Sequence, residues 1–179
     1  MKTMVGLLVW SLLAHSLWAG DDDDVVVLKA EELSTYHRDL AKLLTGASNT
    51  TREAYVTGAI GGESPLPESE DRSHFLSVVH RSGYSWAESH DSIADFYIIL
   101  EGSGTLLLGG EMVDTLSVDG RPGEWRAPRL EAAQRYTVSK GDLINIPSKV
   151  PHQWDLSEEE AVTYVIVKVL ERAEEIRSP

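Results

Sequence analysis

The chain has 179 residues, a formal net charge of −13 and no cysteine. The acidity leaves no basic stripe to neutralise phosphates, which argues against nucleic-acid binding and against adhesion to anionic membranes. Without cysteine there is neither a disulfide framework nor a thiolate ligand or nucleophile, so the fold must stand on its core, helped by a metal if one is bound.

In chain order, Lys2 followed by an apolar run from Met4 to Leu13 and small residues at Ala14, Ser16 and Ala19 reads as a secretory signal peptide over residues 1–19. The run is shorter than the roughly 20 apolar residues of a membrane span. Loss of Lys2 with such a leader brings the charge to −14, with 15 basic against 29 acidic residues, and leaves about 160 residues, enough for one core. Asp21 to Asp24 then form a solvated end, and Asn49-Thr50-Thr51 is a glycosylation sequon, so a secreted glycoprotein is expected. Apolar residues at 28, 33, 36, 40, 43 and 44 predict an amphipathic helix from Leu28 to Leu44, ended by Gly46. Residues 48–73 read as a loop with one short strand around Tyr55.

Beyond that point the period changes to that of strands. The candidates are Phe75–His80, Tyr84–His90, Asp95–Leu100 closed by Gly102-Ser103-Gly104, and Thr105–Leu108 closed by Gly109-Gly110. Arg135–Val138, Asp142–Pro147 and Ala161–Val169 follow, the last almost wholly β-branched or aromatic. Glu111 to Glu131 is turn-rich and reads as a polar excursion near the mouth of a barrel. Glu171 to Ile176 reads as a short tail helix. The expected division is a leader over 1–19, a helix and loop over 20–73, a barrel over 74–170 and a tail over 171–179, in a mainly β fold class.

Two segments carry the chemistry. Glu88 and His90 lie two apart, so on a strand they face one way. Asp95 opens the next strand, which a hairpin would return beside them, with Tyr97 on the same face. In the second segment, Gly141, Pro147 and Pro151 bring His152 to the start of a strand. Glu88, His90, Asp95 and His152 form a plausible set of ligands for a divalent Fe, Mn, Zn, Ni or Cu ion. Glu88 is alternatively a general base beside the metal, and Tyr97 is a second candidate catalytic group. His80 shares a face with Leu76 and Val78 and is either turned into the barrel or an ordinary core histidine. His37 and His74 carry no signal. Tyr97, Trp86 and Trp154 are pocket-lining or core aromatics.

These segments resemble the two motifs of the cupin superfamily. Glu88-x-His90-x4-Asp95-x6-Gly102 fits the spacing of the first, with Glu88 where the family has histidine and Asp95 where it has glutamate. Gly141-x5-Pro147-x-Lys149-x2-His152 fits the second, with Lys149 in place of glycine. The resemblance spans residues 80–155. It implies a double-stranded β-helix of jelly-roll type, a metal at His90 and His152 with Asp95 and Glu88 as substituted ligands, and a homodimer contacting through the 162–169 strand or the N-terminal helix. With the leader, it points to an enzyme in the extracellular space or periplasm acting on a small-molecule substrate, as a tailoring oxygenase or isomerase of secondary metabolism. The alternative is a non-catalytic cupin that binds or stores a small molecule or a metal.

Overall fold

The computed structural model describes residues 28–44, 52–57 and 74–171. The expected leader, acidic run, sequon, Gly46 and tail helix lie outside the described residues. Among the described residues no helix is long and apolar enough to cross a membrane.

Helix α1 (Ala30–Leu44) is followed by β1 (Arg52–Thr57), β2 (His74–Ser82), β3 (Ala87–His90), β4 (Ile93–Leu108), β5 (Glu111–Val113) and β6 (Leu116–Ser117). Then come β7 (Glu124–Ala127), β8 (Arg129–Glu131), β9 (Gln134–Ser139), β10 (Leu143–Ile146), β11 (His152–Asp155) and β12 (Ala161–Leu170). One sheet runs β1-β2-β12-β4-β10. The facing sheet runs β9-β4-β11-β3-β7-β6. All these pairings are antiparallel, and β5 and β8 form a separate ribbon. The architecture is the expected jelly-roll barrel.

Three expectations need correction. Asp95–Leu100 and Thr105–Leu108 are not two strands joined by a glycine turn. They are one 16-residue strand, β4, that belongs to both sheets. Its first half pairs with β12 and β10, and its second half with β11 and β9. Gly102 and Gly104 mark the corner. Gly102 takes φ +81°, and a Cβ there would lie 2.0 Å from the Ala161 carbonyl oxygen; one at Gly104 would meet Leu156 at 2.2 Å. Side chains are excluded because strands of both sheets crowd the bend. Second, the strand expected from Tyr84 begins only at Ala87. Third, the region 111–131 is not merely an excursion, since β7 within it pairs with β3 along its whole length.

The barrel interior is aromatic and aliphatic. Tyr97, Trp154 and Tyr164 pack with ring centroids 4.6–6.2 Å apart, among Ile99, Leu106, Ile146, Val162 and Ile166. Trp154 is therefore core, whereas Trp86 is half-buried. Helix α1 covers the outer face of the first sheet through Leu33, Tyr36 and Leu40 against Val78 and Val165. The face of Leu76 and Val78 thus looks toward the helix and not into the barrel. His80 lies on it, and the Nδ1 atoms of His80 and His37 meet the Thr163 hydroxyl at 2.7 and 2.8 Å. Burial and the neighbouring His37 lower His80 to about 4, so it stays neutral at physiological pH.

Gly102→Ala is expected to cost about 2–3 kcal/mol, because it combines a clash with backbone and an unfavourable φ. Gly109→Ala, with φ +72° but open space around it, should cost only the conformational strain of about 1–2 kcal/mol. Urea unfolding of the two variants measures the difference, and equal losses would remove the role assigned to the corner.

Candidate metal centre

Each side chain of the centre reaches it by a simple register. On β3, Glu88 and His90 alternate with Ala87 and Ser89. Asp95 and Tyr97 occupy the inner face of the first half of β4. β3 and the first half of β4 are joined by Asp91-Ser92 but lie in opposite sheets, so Asp95 meets Glu88 and His90 across the barrel and not along a hairpin. His152 opens β11 directly opposite Glu88. The preceding loop is tied to the first motif by a 2.7 Å bond from the Lys149 N–H to the His90 carbonyl. Lys149 holds φ +65°, which accounts for glycine as the usual occupant of that position.

The four sequence-predicted ligand residues come together, and all are buried. One donor atom from each of Glu88, His90 and His152 lies within 4.8 Å of the other two. His152 Nε2 is 3.4 Å from Asp95 Oδ2 and 3.6 Å from Glu88 Oε1. His90 Nε2 is 3.5 Å from Asp95 Oδ2 and 4.0 Å from Glu88 Oε2. Both imidazoles are oriented from behind. His152 Nδ1 donates to the Val150 carbonyl at 3.0 Å, and His90 Nδ1 donates to Glu124 at 2.8 Å. These bonds assign the remaining nitrogen of each ring, Nε2, to the common centre. Tyr97 is fully buried, and its hydroxyl donates to Asp95 Oδ2 at 3.2 Å. Burial foremost, then the Asp95 charge, raises its pKa well above the ordinary value, so the hydroxyl keeps its proton and donates it to Asp95 in a hydrogen bond.

Four further residues had not been singled out in the sequence. Lys168 on β12 is the direct cross-strand neighbour of Asp95. Its ammonium donates at 2.8 Å to both Asp95 oxygens and to His90 Nε2. Arg126 and Glu124 on β7 sit opposite Glu88 and His90. Arg126 reaches Glu88 Oε2 at 3.0 Å, and Arg81 on β2 reaches Oε1 at 3.3 Å. The signal for Lys168 was available: it continues the alternation of Val162, Tyr164 and Ile166, which face inward. The signal for β7 was not, because four residues between turns have no readable period.

These charges set the protonation states. Burial alone would raise Glu88, but Arg126, His152 and Arg81 hold it well below the ordinary carboxylate value. Such a carboxylate is a weak proton acceptor, which suits ligation better than general-base work. Asp95 is likewise lowered against its burial, chiefly by Lys168. Burial would lower His152, but the Asp95 and Glu88 carboxylates hold it up at about 9. Its Nε2 still makes no hydrogen bond of good geometry, so the effect is that of charge at 3.4 and 3.6 Å and not of a formed bond.

No known family profile matches the chain, and no curated protein matches it by sequence. Among solved structures, a cupin-2 domain from Rhodospirillum rubrum is 19% identical, with 72% of this chain and 67% of that chain covered and a TM-score of 0.42. The polyketide cyclase RemF from Streptomyces resistomycificus is 18% identical, covering 69% of this chain and 68% of its own, with a TM-score of 0.41. FeII HppE is 14% identical with a TM-score of 0.42; the match covers 69% of this chain and 53% of HppE, so this chain spans about half of that protein's length. The two motif segments, meanwhile, supply facing strands of a jelly roll and converge on one buried cluster. The fold is a jelly-roll barrel. Within this barrel Glu88 and Asp95, which depart from the motif residues, reach the same centre as His90 and His152.

The metal-free protein gives a direct test of these electrostatics. An NMR titration should find the His152 ring charged at pH 7 and losing its proton near pH 9, and Asp95→Asn should lower that value. Because the folded value lies above the unfolded one of about 6.5, the stabilisation is complete below about pH 6.5 and is lost as pH rises toward the folded value. Melting temperatures in chelator should fall through that window for the native chain and less for Asp95→Asn. A His152 ring that is neutral at pH 7 contradicts the account.

Proposed function

We propose that this chain is an exported, metal-dependent cupin enzyme acting on a small organic molecule, as a tailoring oxygenase or isomerase. One observation carries the metal: His152 Nε2 is a buried nitrogen with no hydrogen-bond partner, in a ring whose Nδ1 is already tied back, and it faces two carboxylates. A buried polar atom left without a partner is costly, and a divalent ion satisfies it. The mixed imidazole and carboxylate set suits Fe, Mn, Zn, Ni or Cu.

His90, His152, Glu88 and Asp95 would hold the ion. It would supply Lewis-acid polarisation of a substrate oxygen or a site for O₂. The chain's own contribution is orientation and dryness. Glu124 and the Val150 carbonyl fix the two rings. Arg81 and Arg126 keep Glu88 ionised. The Tyr97 hydroxyl orients Asp95, so Tyr97 is a positioning residue in this reading, while the packed aromatics around it exclude water. Export is supported by the apolar run from Met4 to Leu13 after Lys2. Pairing of two copies, which the resemblance implies, belongs to the same proposal and is read by light scattering.

A second reading has its own support. The Lys168 ammonium already neutralises Asp95, which favours a barrel that holds a small molecule without metal chemistry. Elemental analysis of the reconstituted full chain separates the two. The enzyme reading expects stoichiometric metal in the native chain. His90→Ala and His152→Ala should each weaken binding at least about 100-fold, the upper end of what groups behind ligands contribute. No bound metal after reconstitution with each of the five ions would sink it. A screen of small-molecule substrates with the loaded protein then identifies the reaction.

A further inference from the structure

We propose that Lys168 is a built-in cation that competes with the metal, so that ligation by His90 and Asp95 requires its ammonium to withdraw. This rests on the metal reading above and adds a control on occupancy of the same centre. The exclusion is first one of valence. His90 Nδ1 carries its proton toward Glu124, so Nε2 has a single lone pair. That lone pair accepts the Lys168 ammonium at 2.8 Å. The same lone pair cannot ligate a metal at the same time. Asp95 is engaged through both oxygens, each 2.8 Å from Lys168 Nζ, so neither is available without giving up an ion pair.

The exclusion is also one of charge. Around the centre the three carboxylates Glu88, Asp95 and Glu124 are already compensated by side-chain cations, Arg81, Arg126 and Lys168 among them. A divalent ion added to this set brings two uncompensated charges into a buried place beside an ammonium. Of the three cations, Lys168 is the one that touches a ligand nitrogen, His90 Nε2, together with both Asp95 oxygens. It is also a flexible one: the four-carbon stem of lysine turns about every bond, and its side chain is 11% exposed, which gives it a way toward solvent. Arg81 reaches Glu88, and Arg126 reaches Glu88 and Glu124.

The test uses the full chain stripped of metal and titrated with Zn(II) and with Co(II) alone, followed by calorimetry and by the Co(II) absorbance. Lys168→Met and Lys168→Gln, which lack the charge, should bind about 10- to 100-fold more tightly than the native chain, and Lys168→Arg, which keeps it, should not. Equal or weaker binding in the uncharged variants, with binding still abolished by His152→Ala, overturns the competition while leaving the metal reading intact. Absence of binding in every form overturns both. Removal of the ammonium leaves Asp95 buried without its partner, so the variants risk not folding. A measurement on the native chain covers that case. Zn(II) should raise the rate of acylation of Lys168 by an amine-reactive reagent several-fold relative to exposed Lys140, read by mass spectrometry. An unchanged ratio overturns the proposal.

Discussion

The constraint on which the centre depends is that two carboxylates, Glu88 and Asp95, are buried face to face inside a hydrophobic barrel. An ionised carboxylate taken out of water costs several kcal/mol unless it is paired and hydrogen-bonded. Every other polar residue nearby can be understood as an answer to that cost. Arg81 and Arg126 divide the two oxygens of Glu88 between them, Lys168 spans both oxygens of Asp95, and the Tyr97 hydroxyl caps one of these. The histidines stand between the two acids, within 4.0 Å of each. Removing any one cation would leave a buried charge without compensation, so the network holds together as a unit.

Strand register delivers this network from distant parts of the chain. Lys168 and Asp95 are cross-strand partners, as are Arg126 with Glu88 and Glu124 with His90. The corner in β4 makes the arrangement possible. Because Gly102 and Gly104 let one strand pass between sheets, its first half can aim Asp95 at the centre while its second half pairs with β11, which opens on His152. The bend and the site are therefore two consequences of one local sequence. A side chain at Gly102 would strike the backbone of the strand carrying Lys168, which couples the corner to the centre.

How much of this was legible in the sequence follows from which signals are local. The helix, the long strands and the convergence of the two motif segments are written in periodicity and spacing, and the boundaries agree to within a few residues for α1, β9, β10 and β12. The first half of the centre could be found because motif residues are constrained to fixed offsets. What was misread depends on distant contacts. Gly102-Ser103-Gly104 has the composition of a turn, and only pairing on both sides shows it to be a bend within a strand. The orientation of His80 depended on which face of the sheet the helix covers. β7 is too short for a period, so Glu124 and Arg126 were hidden in apparent loop. Lys168 is different: its place on the inward face follows from alternation with Val162, Tyr164 and Ile166 alone, although the strand's apolar composition masks it.

The two forms of the centre can be compared by charge. In the metal-free form Lys168 is an ammonium and His152, held up at about 9, is an imidazolium. A divalent ion brings two positive charges. If its entry displaces the ammonium and the proton on His152 Nε2, two positive charges leave, and the total around Glu88, Asp95 and Glu124 is unchanged. Metal binding is then an exchange of cations at nearly constant local charge, which avoids the large electrostatic penalty of adding a bare divalent ion to a buried, already balanced network. The proton released makes affinity rise with pH until His152 is neutral without help, and the ammonium released makes it depend on where Lys168 can go. On this view the lysine is what lets the buried Asp95 carboxylate remain ionised before any metal arrives, at the expense of affinity once it does.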